Sequence, residues 1–245
     1  MIVSHAHQFI FLKTRKTAGT SIGASLVRFL GPDDLALGYT GPSLRSGYRP
    51  PRFSSCWRWF RPSDIRHPFV YSYRRMMHRV HGLEDQHMEA AAVRQVVGED
   101  VWNSYYKFSF DRHPYDRMIS LYCWCTRSSD QPPGFARFVD ALHAGDEDFL
   151  RSHNLHGHKI SNLPIYAIDG QVCVDRVGRF ESLNADLEQI AAHLGLPWDG
   201  WLPREKGAAR PKDATRAAWI TPDVAAKLNS IFAAEFALLS YSPDC

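Results

Sequence analysis

Apolar positions along this chain follow two rhythms. Phe9-Ile10-Phe11-Leu12 is short and apolar on both faces, which predicts a buried strand. Ile22, Leu26, Phe29 and Leu30 then recur at helical spacing, so a helix is expected to start between Ala18 and Ser21 and to end at Gly31-Pro32. The same pair of rhythms returns downstream. YYKFSFD, residues 105 to 111, reads as a second strand, and a helix follows from Pro114 to about Thr126, with proline in a first turn that needs no N–H from it. Further helices are predicted over Asp85 to Val97, around Phe135 to Leu142, and from Leu183 to Leu194, where Gly195 and Pro197 close the last one. QVCVDRVGRF, residues 171 to 180, alternates like a strand, and Thr221-Pro222-Asp223 opens a final helix running to about Leu239. Strands alternating with helices predict an α/β fold, a single domain over residues 1 to 245 whose central parallel sheet is flanked by helices. Residues 31 to 85, rich in proline and glycine at their start, interrupt the alternation as a long excursion.

Composition narrows the class without choosing a chemistry. The chain has 245 residues, 44% hydrophobic and 22% charged, ample material for a core. No stretch reaches the roughly 18 apolar residues of a membrane helix. The early apolar run is followed rather than preceded by basic residues, unlike a signal peptide. Five cysteines without CxxC spacing suggest neither a zinc knuckle nor a disulfide framework, so reduced thiols in a cytoplasm are expected. Charge is unevenly spread. Between Arg45 and His81 nine arginines face the single acid Asp64, with Trp57, Trp59 and Tyr73 among the interleaved aromatics, although the whole chain carries only +3. That stretch reads equally as a surface for an anionic partner and as a solvated basic loop.

Candidate chemistry gathers at the two strand-to-helix turns. In TRKTAGTS, residues 14 to 21, small residues leave backbone N–H groups at a helix N-terminus, where the helix dipole favours an anion. Lys16 brings a mobile positive charge, Thr20 and Ser21 bring hydroxyls, and Gly19 lets the backbone come close. This is a P-loop-like cradle but not a Walker A loop, because the lysine precedes the glycine. In DRHPYDRMISLY, residues 111 to 122, Arg112 stands at the strand end and Ser120 on the helix. Arginine forks onto phosphate with two parallel hydrogen bonds, whereas Arg117 is expected to pair with Asp111 or Asp116. Two such cradles at the carboxyl ends of strands in one sheet describe a ligand with two separated phosphate groups.

These two motifs resemble those of the PAPS-dependent sulfotransferases, in particular the carbohydrate branch that includes the heparan sulfate 2-O enzymes. Arg15-Lys16-Thr17-Ala18-Gly19-Thr20-Ser21 is similar to the family's PKTAGTS loop, and Arg112 to Tyr122 to its RNPYDRLVSLY motif; GRFESLNADLEQIAAHLGL, residues 178 to 196, looks like its downstream strand-helix block. Arg15 replaces the family's usual proline, and His113 its usual asparagine. The resemblance implies PAPS (3′-phosphoadenosine 5′-phosphosulfate) as cosubstrate, with no metal. Lys16 would contact the phosphosulfate bridge, the backbone of Thr17, Ala18, Gly19 and Thr20 the 5′-phosphate, and Arg112 and Ser120 the 3′-phosphate. Lys206, Arg210 and Lys212 lie where the family has a loop that closes over the nucleotide, though a solvated loop is the slightly preferred reading. The acceptor would be the hydroxyl of a glycan or other small molecule, an anionic one being compatible with the basic segment. His87 resembles the family's acceptor-side histidine and is the expected general base, with His81 and His78 as alternates. A position near a helix start would favour its neutral form.

Two other classes stay open at this point. A P-loop kinase or nucleotide hydrolase would use the same strand, loop and helix. A nucleic-acid-binding protein would use the arginine and aromatic segment. HNLHGH, residues 153 to 158, lacks a helical HExxH frame and is not expected to bind metal.

Overall fold

A computed structural model of the chain describes residues 1–31, 33–37, 86–153, 155, 160–203, 210–211 and 213–242. They gather into two compact units. One comprises Met1–Thr14, Ala18–Phe110 and Pro164–Pro203; the other comprises Arg15–Thr17, Asp111–Leu163 and Arg204–Cys245.

The first unit is built on a five-stranded sheet. Its strands are β1 (Ile2–Ser4), β2 (Phe9–Leu12), β3 (Leu35–Ala36), β4 (Tyr106–Asp111) and β7 (Arg176–Arg179), in the order β3-β1-β2-β4-β7. The central pair β2 and β4 runs parallel with Phe11 opposite Phe108, as the alternation of elements predicted. β1 lies antiparallel to β2, and β3 antiparallel to β1, two short strands that carry no periodic signal of their own. Helix α1 (Gly19–Leu26) follows β2, α2 (Ala90–Val97) and α3 (Glu99–Ser104) precede β4, and α8 (Leu183–His193) follows β7. Phe9, Phe11, Phe108 and Phe110 share a cluster with Ile22 and Leu26 of α1 and Leu187 and Ile190 of α8. Each buried phenylalanine contributes about 1.5–3 kcal/mol. The Phe11 and Phe108 rings stack at 5.3 Å.

The stretch from 171 to 180 is two strands rather than one. β6 (Gln171–Val172) pairs with β5 (Ala167–Ile168) across Asp169-Gly170, both at positive φ, the geometry of a tight hairpin turn. The chain then breaks at Asp175, whose carboxylate accepts the Lys107 N–H at 2.7 Å and whose own N–H donates to Lys107 O at 2.8 Å, before β7 joins the main sheet. A Cβ on Gly178 would meet Phe110 Cε1 at 2.4 Å, so β7 needs glycine there.

The second unit is helical: α4 (Pro114–Thr126), α5 (Phe135–Ala144), α6 (Glu147–Ser152), α9 (Arg216–Trp219), α10 (Pro222–Ile231) and α11 (Ala233–Leu239); α7 (Leu163–Tyr166) begins at its boundary. Tyr115, Met118 and Ile119 of α4, Phe138 and Val139 of α5, and Leu228 and Phe236 of the last two helices share its core. The expected final helix starts where predicted, with Thr221 capping the Val224 N–H, but breaks at Phe232, where ψ turns to 24°. The break lets buried Phe232 and Glu235 both meet Arg117, one under its guanidinium at 4.9 Å and the other hydrogen-bonded to it at 3.3 Å. Among the described residues no helix is long and apolar enough to cross a membrane.

Candidate functional site

The first turn, between β2 and α1, holds an unusual backbone. Lys16 and Ala18 lie in the left-handed region (φ 61° and 59°), while Arg15 before them and Thr17 between them do not. Left-handed residues within a turn are a feature of the backbone concavities that bind anions, which makes this turn a candidate anion nest. Left-handed φ costs a residue with a Cβ about 1–3 kcal/mol, and such strain clusters at ligand clamps. The φ of Gly19 is not positive, and a Cβ there would meet Lys13 Cγ at 2.7 Å, so glycine is what lets the backbone lie against that side chain. The Lys13 side chain is buried, and its ammonium donates to Gln86 Oε1 at 2.7 Å and Thr20 Oγ1 at 3.4 Å. Ser21 is buried in α1 and Thr20 is half-buried.

The second turn, between β4 and α4, is held by its own side chains. His113 caps α4, its Nδ1 accepting the Tyr115 N–H at 3.3 Å while Nε2–H donates to Ser242 O at 3.0 Å. The histidine thus performs the capping task that asparagine would perform at the same place. Asp111 accepts the Arg112 N–H at 2.8 Å, and Arg117 donates to Asp111 at 2.8 and 3.0 Å, the pairing expected for it. All of this lies deep in the unit, with Arg117 and Asp111 at most 1% exposed.

Along α4 the positions Asp116, Ser120 and Trp124 succeed one another at four-residue spacing and so share a face, half-buried in each case. Cations collect along it. Asp116 pairs with Arg210 at 2.8 Å, with Arg216 at 2.6 Å and, at 4.0 Å, with Arg112. Burial alone would raise the Asp116 pKa, but hydrogen bonds from Arg210 and Arg216 outweigh it and hold the carboxyl below its ordinary value. Two turns on, the Lys16 ammonium lies 4.7 Å over the Trp124 ring, and the Arg127 guanidinium lies 3.9 Å from the same ring. Helix α4 therefore brings together Arg112, Ser120 and Lys16, three residues singled out in the sequence, with Arg210, Arg216 and Trp124. Arg210 is tied to Asp116 rather than left in a solvated loop. Burial pushes the Cys123 and Cys125 thiols up, and the Lys16 charge offsets part of that.

His87 lies three residues before α2. Its Nδ1 is 2.8 Å from the Lys13 carbonyl oxygen. A carbonyl only accepts, so Nδ1 carries the hydrogen; of the two neutral tautomers this is the one whose lone pair is on Nε2. His78, His81, Lys206, Lys212, the arginines of 45 to 81 and most of HNLHGH lie outside the described residues.

The model of the Sulfotransferase family matches residues 1–242. A curated relative, an uncharacterized protein of Archaeoglobus fulgidus, is 26% identical over 113 residues, 45% of this chain and 84% of its own. Among solved structures, a sulfotransferase from Alicyclobacillus acidocaldarius aligns at 18% identity with a TM-score of 0.45, covering 96% of each chain.

Proposed function

We propose, for a chain that belongs to the sulfotransferase family, that it moves a sulfuryl group from PAPS to a hydroxyl of a carbohydrate or other small acceptor. Sulfuryl transfer in general follows from membership of the family; the donor, the acceptor class and the residue roles are our reading. The observation that carries it is the α4 face, where three guanidiniums converge on one carboxylate and the Lys16 ammonium sits two turns away. Such a surface suits a ligand with two separated anionic groups.

In this reading the turn at Arg15, Lys16, Thr17 and Ala18, with the N-terminal residues Gly19, Thr20 and Ser21 of α1, holds the 5′-phosphosulfate through backbone N–H groups from Lys16 onward, the Arg15 N–H being given to Asn162 Oδ1. Arg112 and Ser120 hold the 3′-phosphate, with Arg216 a further cation that periodicity could not single out. His87 Nε2 takes the proton of the acceptor hydroxyl as its oxygen attacks sulfur in line. The bond from sulfur to the phosphate oxygen breaks, and Lys16 meets the charge that the leaving phosphate gains. An anionic acceptor and a cytoplasmic location rest on the basic segment and the cysteine usage, both read from sequence.

The test is thermal. Adenosine 3′,5′-bisphosphate (PAP) should raise the melting temperature well above ADP or ATP at equal concentration without magnesium, since a ligand stabilises in proportion to RT ln(1 + [L]/Kd). Equal shifts for all three, or a strict need for magnesium, would return the kinase reading. Mass spectrometry of an acceptor panel with PAPS then looks for the gain of one sulfate, and His87→Ala should cut that turnover by about 10²–10⁴ while PAP binding stays within about twofold. Near-normal turnover would remove His87 as base.

A further inference from the structure

Asn162 stands outside every motif, yet it is fully buried and makes three hydrogen bonds. Its Oδ1 accepts the Arg15 N–H at 2.9 Å, and its Nδ2 donates to Arg15 O at 3.1 Å and to Asp111 Oδ1 at 3.0 Å. The orientation of the amide is fixed by chemistry, because the reverse would set its oxygen against two acceptors. The side chain thus grips both backbone groups of the residue that leads into left-handed Lys16. The same Asp111 oxygen receives the Arg112 N–H and Arg117 Nη1, so one buried chain of bonds runs from Arg15 through Asn162 to the second turn. Strained backbone persists only where its surroundings over-determine it, and Asn162 supplies that constraint.

We infer that Asn162 is a positioning residue that holds the anion nest in its binding shape and in register with Arg112. It touches no reacting atom in this account, and the inference rests on the donor reading above. The experiment measures PAP affinity calorimetrically, below the melting transition, for the wild type, Asn162→Asp and Leu228→Ala. Leu228 lies in the core of the same unit and controls for lost stability alone. Asn162→Asp keeps the shape of the side chain but removes both donors and faces a carboxylate; it should weaken PAP binding at least tenfold, while Leu228→Ala lowers the melting temperature and leaves affinity within twofold. Should the charged variant not fold, Asn162→Ser carries the same expectation without a new charge. In either variant the Arg15 amide should also exchange with solvent at least tenfold faster by NMR, a readout that Leu228→Ala leaves unmoved. Unchanged PAP affinity in a folded Asn162 variant overturns the positioning role alone. No PAP binding by the wild type overturns the donor reading and the positioning role with it.

Discussion

The two strand-to-helix turns look alike in sequence and are built in opposite ways. At the second, α4 begins with its N-terminus already satisfied: His113 caps it, Pro114 removes one donor, and Asp111 binds the Arg112 N–H. At the first, the N-cap is Ala18, which has no side chain to offer, no acid lies in the first turn of α1, and two residues with a Cβ sit at positive φ. In the proposed reading the first turn offers backbone N–H groups together with the Lys16 ammonium, and the second offers guanidiniums. Backbone donors are rigid and suit charge that develops in a transition state. Guanidiniums supply tight, charge-assisted binding to a fixed anion.

That division predicts separable effects. The largest should come from Lys16→Ala, lowering kcat by about 10²–10³ with little change in PAP affinity, because its charge matters most as the leaving phosphate gains charge. Single-turnover kinetics beside calorimetric titration measure both. Next, Arg112→Ala should weaken PAP binding by about 1.5–3 kcal/mol, the range for a hydrogen bond to a charged group. If Lys16→Ala instead weakens binding and Arg112→Ala slows transfer, the division is reversed. The smallest effect tests the strain itself. Ala18→Gly should raise the melting temperature by about 2–4 °C, since glycine adopts the left-handed region without the Cβ clash and recovers roughly 1 kcal/mol. No rise would place the strain elsewhere.

Much of this arrangement was legible in the order of residues. The strand at 9 to 12, the helix at 114 to 126 and the Thr221 cap follow from local pattern, and so does the turn chemistry that singled out Lys16, Arg112 and Arg117. What stayed hidden depends on distant partners. Nothing around Asn162 marks it, because its partner Arg15 is 147 residues away. Arg216 meets Asp116 across 100 residues. The carbonyl that His87 Nδ1 meets belongs to Lys13, 74 residues upstream. β1 is too short, at three residues, to carry a period, and the break at Phe232 is hidden because a continuous helical rhythm runs through it.

Gly19 carries one more consequence, for how such chains diverge. A Cβ at Gly19 would meet Cγ of Lys13. Positions 13 and 19 are therefore expected to vary together. A descendant that shortens residue 13 to serine or alanine frees residue 19 to become alanine or serine, whereas one that keeps a long side chain at 13 stays bound to glycine. On that steric ground the glycine is expected to travel with its lysine.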